Sequence, residues 1–120
     1  MRRNYLYLAD MLDAADAVHR FVRGVVRDQF MVDELRQSAV LQKLIVIGEA
    51  TARLEPELRS RYPDIPWPDV IGFRNMAVHA YFSVEWSVVW VTATRDVPLL
   101  RGSIQRVLEQ EEQGQKAGPE

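Results

Sequence analysis

Four polar side chains that could do chemistry lie close together in one short stretch, residues 74–82, which read RNMAVHAYF. They are Arg74, Asn75, His79 and Tyr81. An imidazole can transfer a proton near neutral pH, and a guanidinium can bind phosphate or carboxylate through paired hydrogen bonds. On a helix Asn75 and His79 share a face, whereas Arg74 reaches His79 only if its side chain wraps around the helix or the last turn is irregular.

The same spacing is also compatible with a structural role. A histidine near a helix end can interact with the helix dipole, and a tyrosine beside it can be half-buried with its hydroxyl in water. Spacing alone leaves both interpretations open. The other histidine, His19, lies on the polar side of the first predicted helix without a partner pattern, so we predict a surface or interface residue.

Two long helices are predicted before this stretch. Apolar residues recur every three or four positions over residues 5–25, which indicates an amphipathic helix. A second helix is predicted over residues 35–54, with Asp33 as its N-cap and Pro56 stopping it. Within this helix, Gly48 and Ala52 are small residues one turn apart, and they would let another helix approach closely.

A proline-rich connector follows the second helix. Four of the six prolines fall within residues 56–68, which indicates turns, with one helical turn around residues 57–61. A third helix is predicted to start near Pro66 or Pro68, since proline is tolerated in a first turn, and to carry the polar cluster towards His79.

The last third of the chain is ambiguous between strand and helix. Residues 84–90 contain alternating apolar positions typical of a strand, but no second strand is visible to pair with them. We therefore predict a helix capped by Ser83. Pro98 is expected to break or kink it before a final helical piece over residues 99–108.

Length and composition fit one all-α domain. The chain has 120 residues, of which 48% are hydrophobic and 27% charged, an ordinary composition for a folded domain. We predict an up-and-down bundle of four to five helices over residues 1–110, followed by a disordered acidic tail over residues 111–120.

Composition also excludes several kinds of site. There is no cysteine, which excludes disulfides and thiolate metal sites, and two histidines are too few for a three-histidine metal site. No metal site built on cysteine or on three histidines is therefore predicted, and no cofactor is predicted. The net charge of −2 neither requires nor excludes a polyanionic substrate. No uncharged run is long enough to span a membrane and no export signal is evident, so we expect a cytoplasmic protein.

Several motifs occur in the order found in one protein family. Arg74-x4-His79 with a polar residue directly after the arginine, followed by His79-x-Tyr81, resembles the Rx4-6H and HxY signature of HEPN-domain proteins. More narrowly it resembles the HepT toxin family, whose partners are MntA-type minimal nucleotidyltransferase antitoxins. The resemblance covers residues 4–108 and includes three further stretches: Ile47-Gly48-Glu49-Ala50, Ile65-Pro66-Trp67 and Ile71-Gly72-Phe73.

This resemblance implies a HEPN-like fold and a metal-independent endoribonuclease that acts on RNA as a homodimer, within a type VII-like HepT/MntA toxin–antitoxin system. The ribose 2′-OH would attack the adjacent phosphate, giving a 2′,3′-cyclic phosphate and a 5′-OH. His79 would move the proton, Arg74 would bind the phosphate, and Asn75 would orient His79 or the phosphate. The second protomer would bring another His79 to the same cleft.

The resemblance also implies regulation. Tyr81 matches the tyrosine that the partner nucleotidyltransferase adenylylates, and the added bulk and negative charge would exclude RNA. Glu49 is a candidate supporting residue, although its stretch can equally serve packing or an internal ion pair with an arginine. The helix that carries Trp86 and Trp90 is a candidate for part of the dimer surface.

Two other classes of function remain open from the sequence. One is a non-catalytic HEPN module that binds and regulates a nucleotidyltransferase partner. The other is a structural dimer in which the polar cluster only packs.

Overall fold

The computed structural model describes residues 2–76 and 85–116 of the chain, so that His79, Tyr81 and Ser83 lie outside the described residues. Every regular element in the described ranges is helical, which confirms the predicted all-α class. The segment that begins at Trp86 is a helix and not a strand. None of the helices in these ranges is both long and apolar enough to cross a membrane.

The first helix, α1, comprises Arg2–Val22. Its buried residues recur with the helical period and include Leu8, Val18 and Val22, which face the core. The helix ends before Gly24, whose φ of 76° is a left-handed conformation that favours glycine. The end therefore comes slightly earlier than the apolar pattern predicts.

The next two helices are a short one, α2 (Arg27–Phe30), and a long one, α3 (Glu34–Arg53). The Asp33 side chain accepts a hydrogen bond from the backbone N–H of Arg36 at 3.0 Å, which confirms Asp33 as the N-cap of α3. The helix α2 was not predicted. It is fixed by Phe30, which is fully buried and whose carbonyl accepts a hydrogen bond from the Gln37 side chain at 3.0 Å.

The proline-rich connector contains two short helices, α4 (Pro56–Ser60) and α5 (Trp67–Ile71). Each has a proline in its first turn, where the missing N–H has no intrahelical partner to lose. The indole N–H of Trp67 is shared between the carbonyls of Arg59 and Tyr62, both at 3.0 Å. This hydrogen bonding ties the start of α5 to the end of α4.

The C-terminal part is one continuous helical path made of α6 (Trp86–Val91), a π-helical turn (Thr92–Asp96) and α7 (Val97–Lys116). Pro98 does not break it. A proline ring presses on the carbonyl four residues earlier, here that of Thr94, and the wide π turn directly before Pro98 accommodates the ring. The sequence shows where a proline interrupts the helix, but it does not predict the π-helical turn that accommodates the proline.

The helix α7 continues to Lys116, beyond the predicted domain end at residue 110. Residues 111–116 are therefore helical where a disordered tail was expected. The reason is Glu111, which anchors the last turns to α1 and to the end of α4 through the contacts described below.

The core lies where α1 and α3 pack along each other, with α7 packed on α1 and α5 packed on α3. The buried side chains form one hydrophobic cluster drawn from all of these helices. Its largest fully buried members are Phe30, Leu8, Met11, Leu44, Ile47, Leu54, Leu58 and Ile104.

Candidate functional site

Arg74 and Asn75 are carried by a 3-10 turn, Gly72–Asn75, which follows α5 without interruption. Phe73 in this turn is 7% exposed and belongs to the core cluster. Arg74 and Asn75 follow it directly and are both exposed. The buried phenyl ring therefore anchors the turn while its two polar side chains remain accessible to solvent.

Gly48 of α3 lies directly against this turn. A methyl group added at Gly48 would overlap the backbone nitrogen of Arg74, and it would lie 3.0 Å from the Arg74 Cβ and 3.0 Å from the Ile71 carbonyl oxygen. Backbone atoms cannot yield as the end of a flexible side chain can, so a larger residue at Gly48 must displace the turn. The close approach predicted at Gly48 is confirmed, and its neighbour is the turn that carries Arg74.

The Arg74 guanidinium has no carboxylate partner within the part of the chain that the structure describes. The ion pairs there involve Arg27, Arg36, Arg61, Arg95 and Arg101 instead. An exposed guanidinium without an acidic partner keeps its hydrogen-bond donors available for an incoming anion.

Two of the four predicted site residues, His79 and Tyr81, lie outside the described residues. The structure therefore brings Arg74 and Asn75 together on one turn and gives no placement for the imidazole or the phenol. Glu49, the candidate supporting residue, is exposed on α3 next to Gly48. None of the ion pairs among the described residues involves Glu49.

The tryptophans of α6 pack within the chain. The ring centroids of Trp86 and Trp90 lie 6.4 Å and 5.2 Å from that of Phe30. The apolar residues that α6 exposes are Val88 and Val91, at 50% and 39%. Trp86 and Trp90 are partly buried against Phe30, so the outward apolar residues of this helix are its valines. That this helix forms part of a dimer surface stays a prediction.

His19 is exposed, as predicted for a surface or interface residue. It lines a cavity of about 220 Å³ between α1 and the C-terminal helical path. The Arg101 Nε lies 3.0 Å from the Asp16 carboxylate beside it. This ion pair was not predicted, because its partners are 85 positions apart and carry no local signal.

The strongest perturbation of pKa values in the described residues surrounds Glu111. Arg61 donates to one of its carboxylate oxygens at 2.6 Å, Tyr62 donates to the other at 2.6 Å, and the Tyr5 hydroxyl donates to its backbone carbonyl at 2.9 Å. Burial and the hydrogen bond to Glu111 raise the pKa of Tyr62 to about 12. Burial opposes ionisation of Glu111, but the bonds from Arg61 and Tyr62 outweigh it and lower the pKa of this carboxyl.

The Glu111 contacts join α7 to α1 and to the two residues that directly follow α4, and they involve none of the residues of the RNMAVHAY stretch. We therefore assign them a structural role in fixing the end of α7. Within the described residues, no group of three or more histidine, cysteine, aspartate or glutamate side chains is close enough together to hold a metal ion.

Comparisons with known proteins agree on one family. The family model described as "Ribonuclease HepT-like" matches residues 11–107. A protein of Thermococcus cleftensis named "Probable ribonuclease HepT" is 32% identical over 108 residues, which cover 89% of this chain and 98% of that protein. A "Putative RNase" of Methanocaldococcus jannaschii is 29% identical, covering 84% of this chain and 93% of its own. No solved structure gives a significant match.

Proposed function

Since the chain belongs to the Ribonuclease HepT-like family, we propose that it is an endoribonuclease that cleaves RNA without a metal ion. The observation that carries the proposal is the exposed Arg74–Asn75 pair, held on a turn seated against Gly48. A guanidinium on an anchored turn, with no acidic partner among the described residues, is suited to binding a phosphate group. The turn lies within the range that matches the family.

The proposed reaction is a transesterification within the RNA strand. The ribose 2′ oxygen attacks the adjacent phosphorus and forms a new O–P bond, while the bond from phosphorus to the 5′ oxygen of the next nucleotide breaks. The products are a 2′,3′-cyclic phosphate and a 5′-OH. A base accepts the 2′ proton and an acid donates one to the leaving 5′ oxygen.

The residues of the motif divide these tasks. Arg74 binds the non-bridging phosphate oxygens and stabilises the charge that develops on them in the transition state. His79 transfers a proton, and Asn75 orients His79 or the phosphate. The reaction benefits from both an acid and a base, yet the motif contains one histidine.

A homodimer would supply the second histidine, because a two-fold axis brings the same segment of both protomers to one cleft. The exposed valines of α6, Val88 and Val91, support an interface near this cleft. They lie nine and twelve positions after His79 in the chain, and a contact there would cover apolar surface that the single chain leaves in water.

The biological setting that we propose is a type VII-like toxin–antitoxin system. The chain is its toxin, and an MntA-type nucleotidyltransferase inactivates it by adenylylating Tyr81. Tyr81 is two positions from His79, so the attached nucleotide adds bulk and negative charge where the RNA phosphate must bind. We also propose Glu49 as a supporting residue, because it directly follows Gly48, which contacts the Arg74 turn.

Incubation of the purified protein with end-labelled RNA in excess EDTA tests the proposal. We expect products with cyclic-phosphate and 5′-OH ends. Arg74→Ala and His79→Ala should each lower the cleavage rate by about 100-fold or more, as removal of an oxyanion-stabilising or proton-transferring group does. The matched control is Arg106→Ala, which removes an exposed arginine of α7 and should leave the rate unchanged.

Two outcomes would contradict the proposal. Cleavage that requires Mg²⁺ would overturn metal independence. No cleavage by protein with an unmodified Tyr81 would instead favour the alternative, a non-catalytic HEPN module that binds and regulates a nucleotidyltransferase.

A further inference from the structure

An apolar groove with a volume of about 310 Å³ lies between α5 and α7, and we name it the α5–α7 groove. Its floor includes Val70, Phe73 and Leu100, which are 2%, 7% and 7% exposed. Leu99 stands at its edge and is 71% exposed. Because this leucine adjoins an apolar cavity instead of standing alone on a polar surface, covering the groove would remove a continuous apolar patch from water.

Three carboxylates line the same groove: Asp64, Asp69 and Asp96. Asp64 and Asp69 are exposed, and neither forms an ion pair with another described residue. Asp96 is paired with its neighbour Arg95 at 3.5 Å, but Arg95 is 75% exposed and does not line the groove. Among the described residues that line the groove none is basic, so the groove combines an apolar floor with a negative potential.

We propose that the α5–α7 groove binds a segment of a partner protein whose apolar side chains are flanked by lysine or arginine. The apolar side chains would cover Leu99 and the floor, and the cationic groups would meet the carboxylates of the rim. RNA does not fit this surface, because its phosphates would face the carboxylates. A second copy of this chain fits poorly as well, since a two-fold contact through the groove would bring both acidic rims together.

The groove shares one residue with the turn that carries the predicted site. Phe73 forms part of the floor and directly precedes Arg74 in the chain. A partner held in the groove would therefore lie beside the Arg74 turn without occupying it. The proposal concerns binding alone and does not depend on the proposed RNA cleavage.

The test measures binding of a short fluorescein-labelled amphipathic peptide of leucine and lysine to the full chain by fluorescence anisotropy. We expect saturable binding, and a matched peptide with glutamate in place of lysine should not bind. Asp64→Asn with Asp69→Asn should weaken binding by about tenfold, the loss expected for two partly exposed charge pairs. Leu99→Ser should also weaken peptide binding by about tenfold, because it removes an apolar contact at the edge of the groove.

The matched control is Asp10→Asn with Asp13→Asn, which removes two exposed carboxylates of α1 and changes the net charge equally. This control should bind the peptide as the unaltered chain does. Equal weakening by both pairs of substitutions would show non-specific attraction and overturn the proposal. Absence of peptide binding, or equal binding of the glutamate peptide, would also overturn it. If Leu99→Ser alone converted a dimer to a monomer, the groove would be a self-association surface, which would overturn it as well.

Discussion

Gly48 of α3 and Arg74 of the 3-10 turn are in contact through their backbones, with space at Gly48 for a hydrogen and not for a methyl group. This contact sets the distance between α3 and the turn. The exposed guanidinium is therefore positioned by a residue 26 places earlier in the chain, counting from 48 to 74.

Replacing Gly48 with alanine should displace the Arg74 turn. We expect RNA cleavage to fall by about 100-fold, because a shift of about an ångström in a catalytic group has an effect of this size. The free energy of unfolding should fall by about 1–3 kcal/mol from overpacking. Cleavage assays and urea unfolding followed by circular dichroism measure the two effects.

Gly72→Ala provides the matched control for Gly48→Ala, because Gly72 lies in the turn that Gly48 contacts. A methyl group at Gly72 meets no atom within 4 Å, and the φ of Gly72 is −59°, which any residue adopts. Cleavage and stability should both stay close to those of the unaltered chain. Equal losses in the two variants would show that an added methyl group is harmful even where it meets no neighbour, and that the Gly48 contact has no special role.

Local signals predicted most of the elements around this contact. Asp33 caps α3 as expected, and a proline in the first turn begins both α4 and α5. These features depend on residues within one turn of each other, so the sequence contains them directly. The close approach at Gly48 was also predictable from local sequence. A glycine within the apolar stripe of a helix leaves room for a neighbouring element to come close.

Features that depend on distant partners could not be predicted. The short helix α2 is stabilised by the burial of Phe30 against Trp86 and Trp90, and the helical end of α7 depends on Arg61 and Tyr62 holding Glu111. In both cases the local sequence favours a loop or a tail. Tertiary contacts reverse that preference, as they often do for short or terminal helices.

Glu111→Gln should destabilise the chain in a pH-dependent way. Although burial opposes ionisation, the bonds from Arg61 and Tyr62 hold the pKa of Glu111 below its ordinary 4.5. The ionised carboxylate therefore stabilises the fold above about pH 4.5, and this contribution is lost as the pH falls through the folded-state pKa. At pH 7 we expect a loss of about 1–2 kcal/mol, measured by urea unfolding.

The difference in stability between Glu111→Gln and the unaltered chain should be smaller at acidic pH than at pH 7, because the carboxyl becomes protonated as the pH falls through its lowered folded-state pKa. Glu112→Gln is the control, because its side chain is the exposed neighbour of Glu111. It should change stability by no more than about 0.5 kcal/mol. A destabilisation of Glu111→Gln that is the same at both pH values would contradict the role of the ionised group.

Val88→Ser with Val91→Ser should weaken the proposed homodimer. These valines are the apolar residues that α6 exposes, and burying both contributes on the order of 2 kcal/mol to an interface. The dissociation constant of the dimer, measured by analytical ultracentrifugation, should therefore rise about 30-fold relative to the unaltered chain. The tryptophan emission should stay unchanged, because Trp86 and Trp90 pack on Phe30 within the protomer.

Val26→Ser with Val32→Ser is the control for the dimer, since it changes two valines that are 60% and 84% exposed around α2. It should leave the sedimentation behaviour unaltered. If this pair weakens the dimer and the α6 pair does not, the interface lies at the α2 end of the molecule. A monomer at all concentrations would remove the second His79 from the proposed mechanism.

Adenylylation of Tyr81 should be visible in the intact mass. When the chain is produced together with an MntA-type nucleotidyltransferase, we expect a mass increase of one or more adenylate units that maps to Tyr81, and a loss of RNA cleavage. Both effects should vanish in Tyr81→Phe and persist in Tyr7→Phe, which removes another tyrosine hydroxyl on α1. The physical reason is that the added phosphate competes with RNA for Arg74 and the bulk blocks the approach to His79. Modification at another tyrosine, or modified protein that still cleaves RNA, would contradict this mode of inactivation.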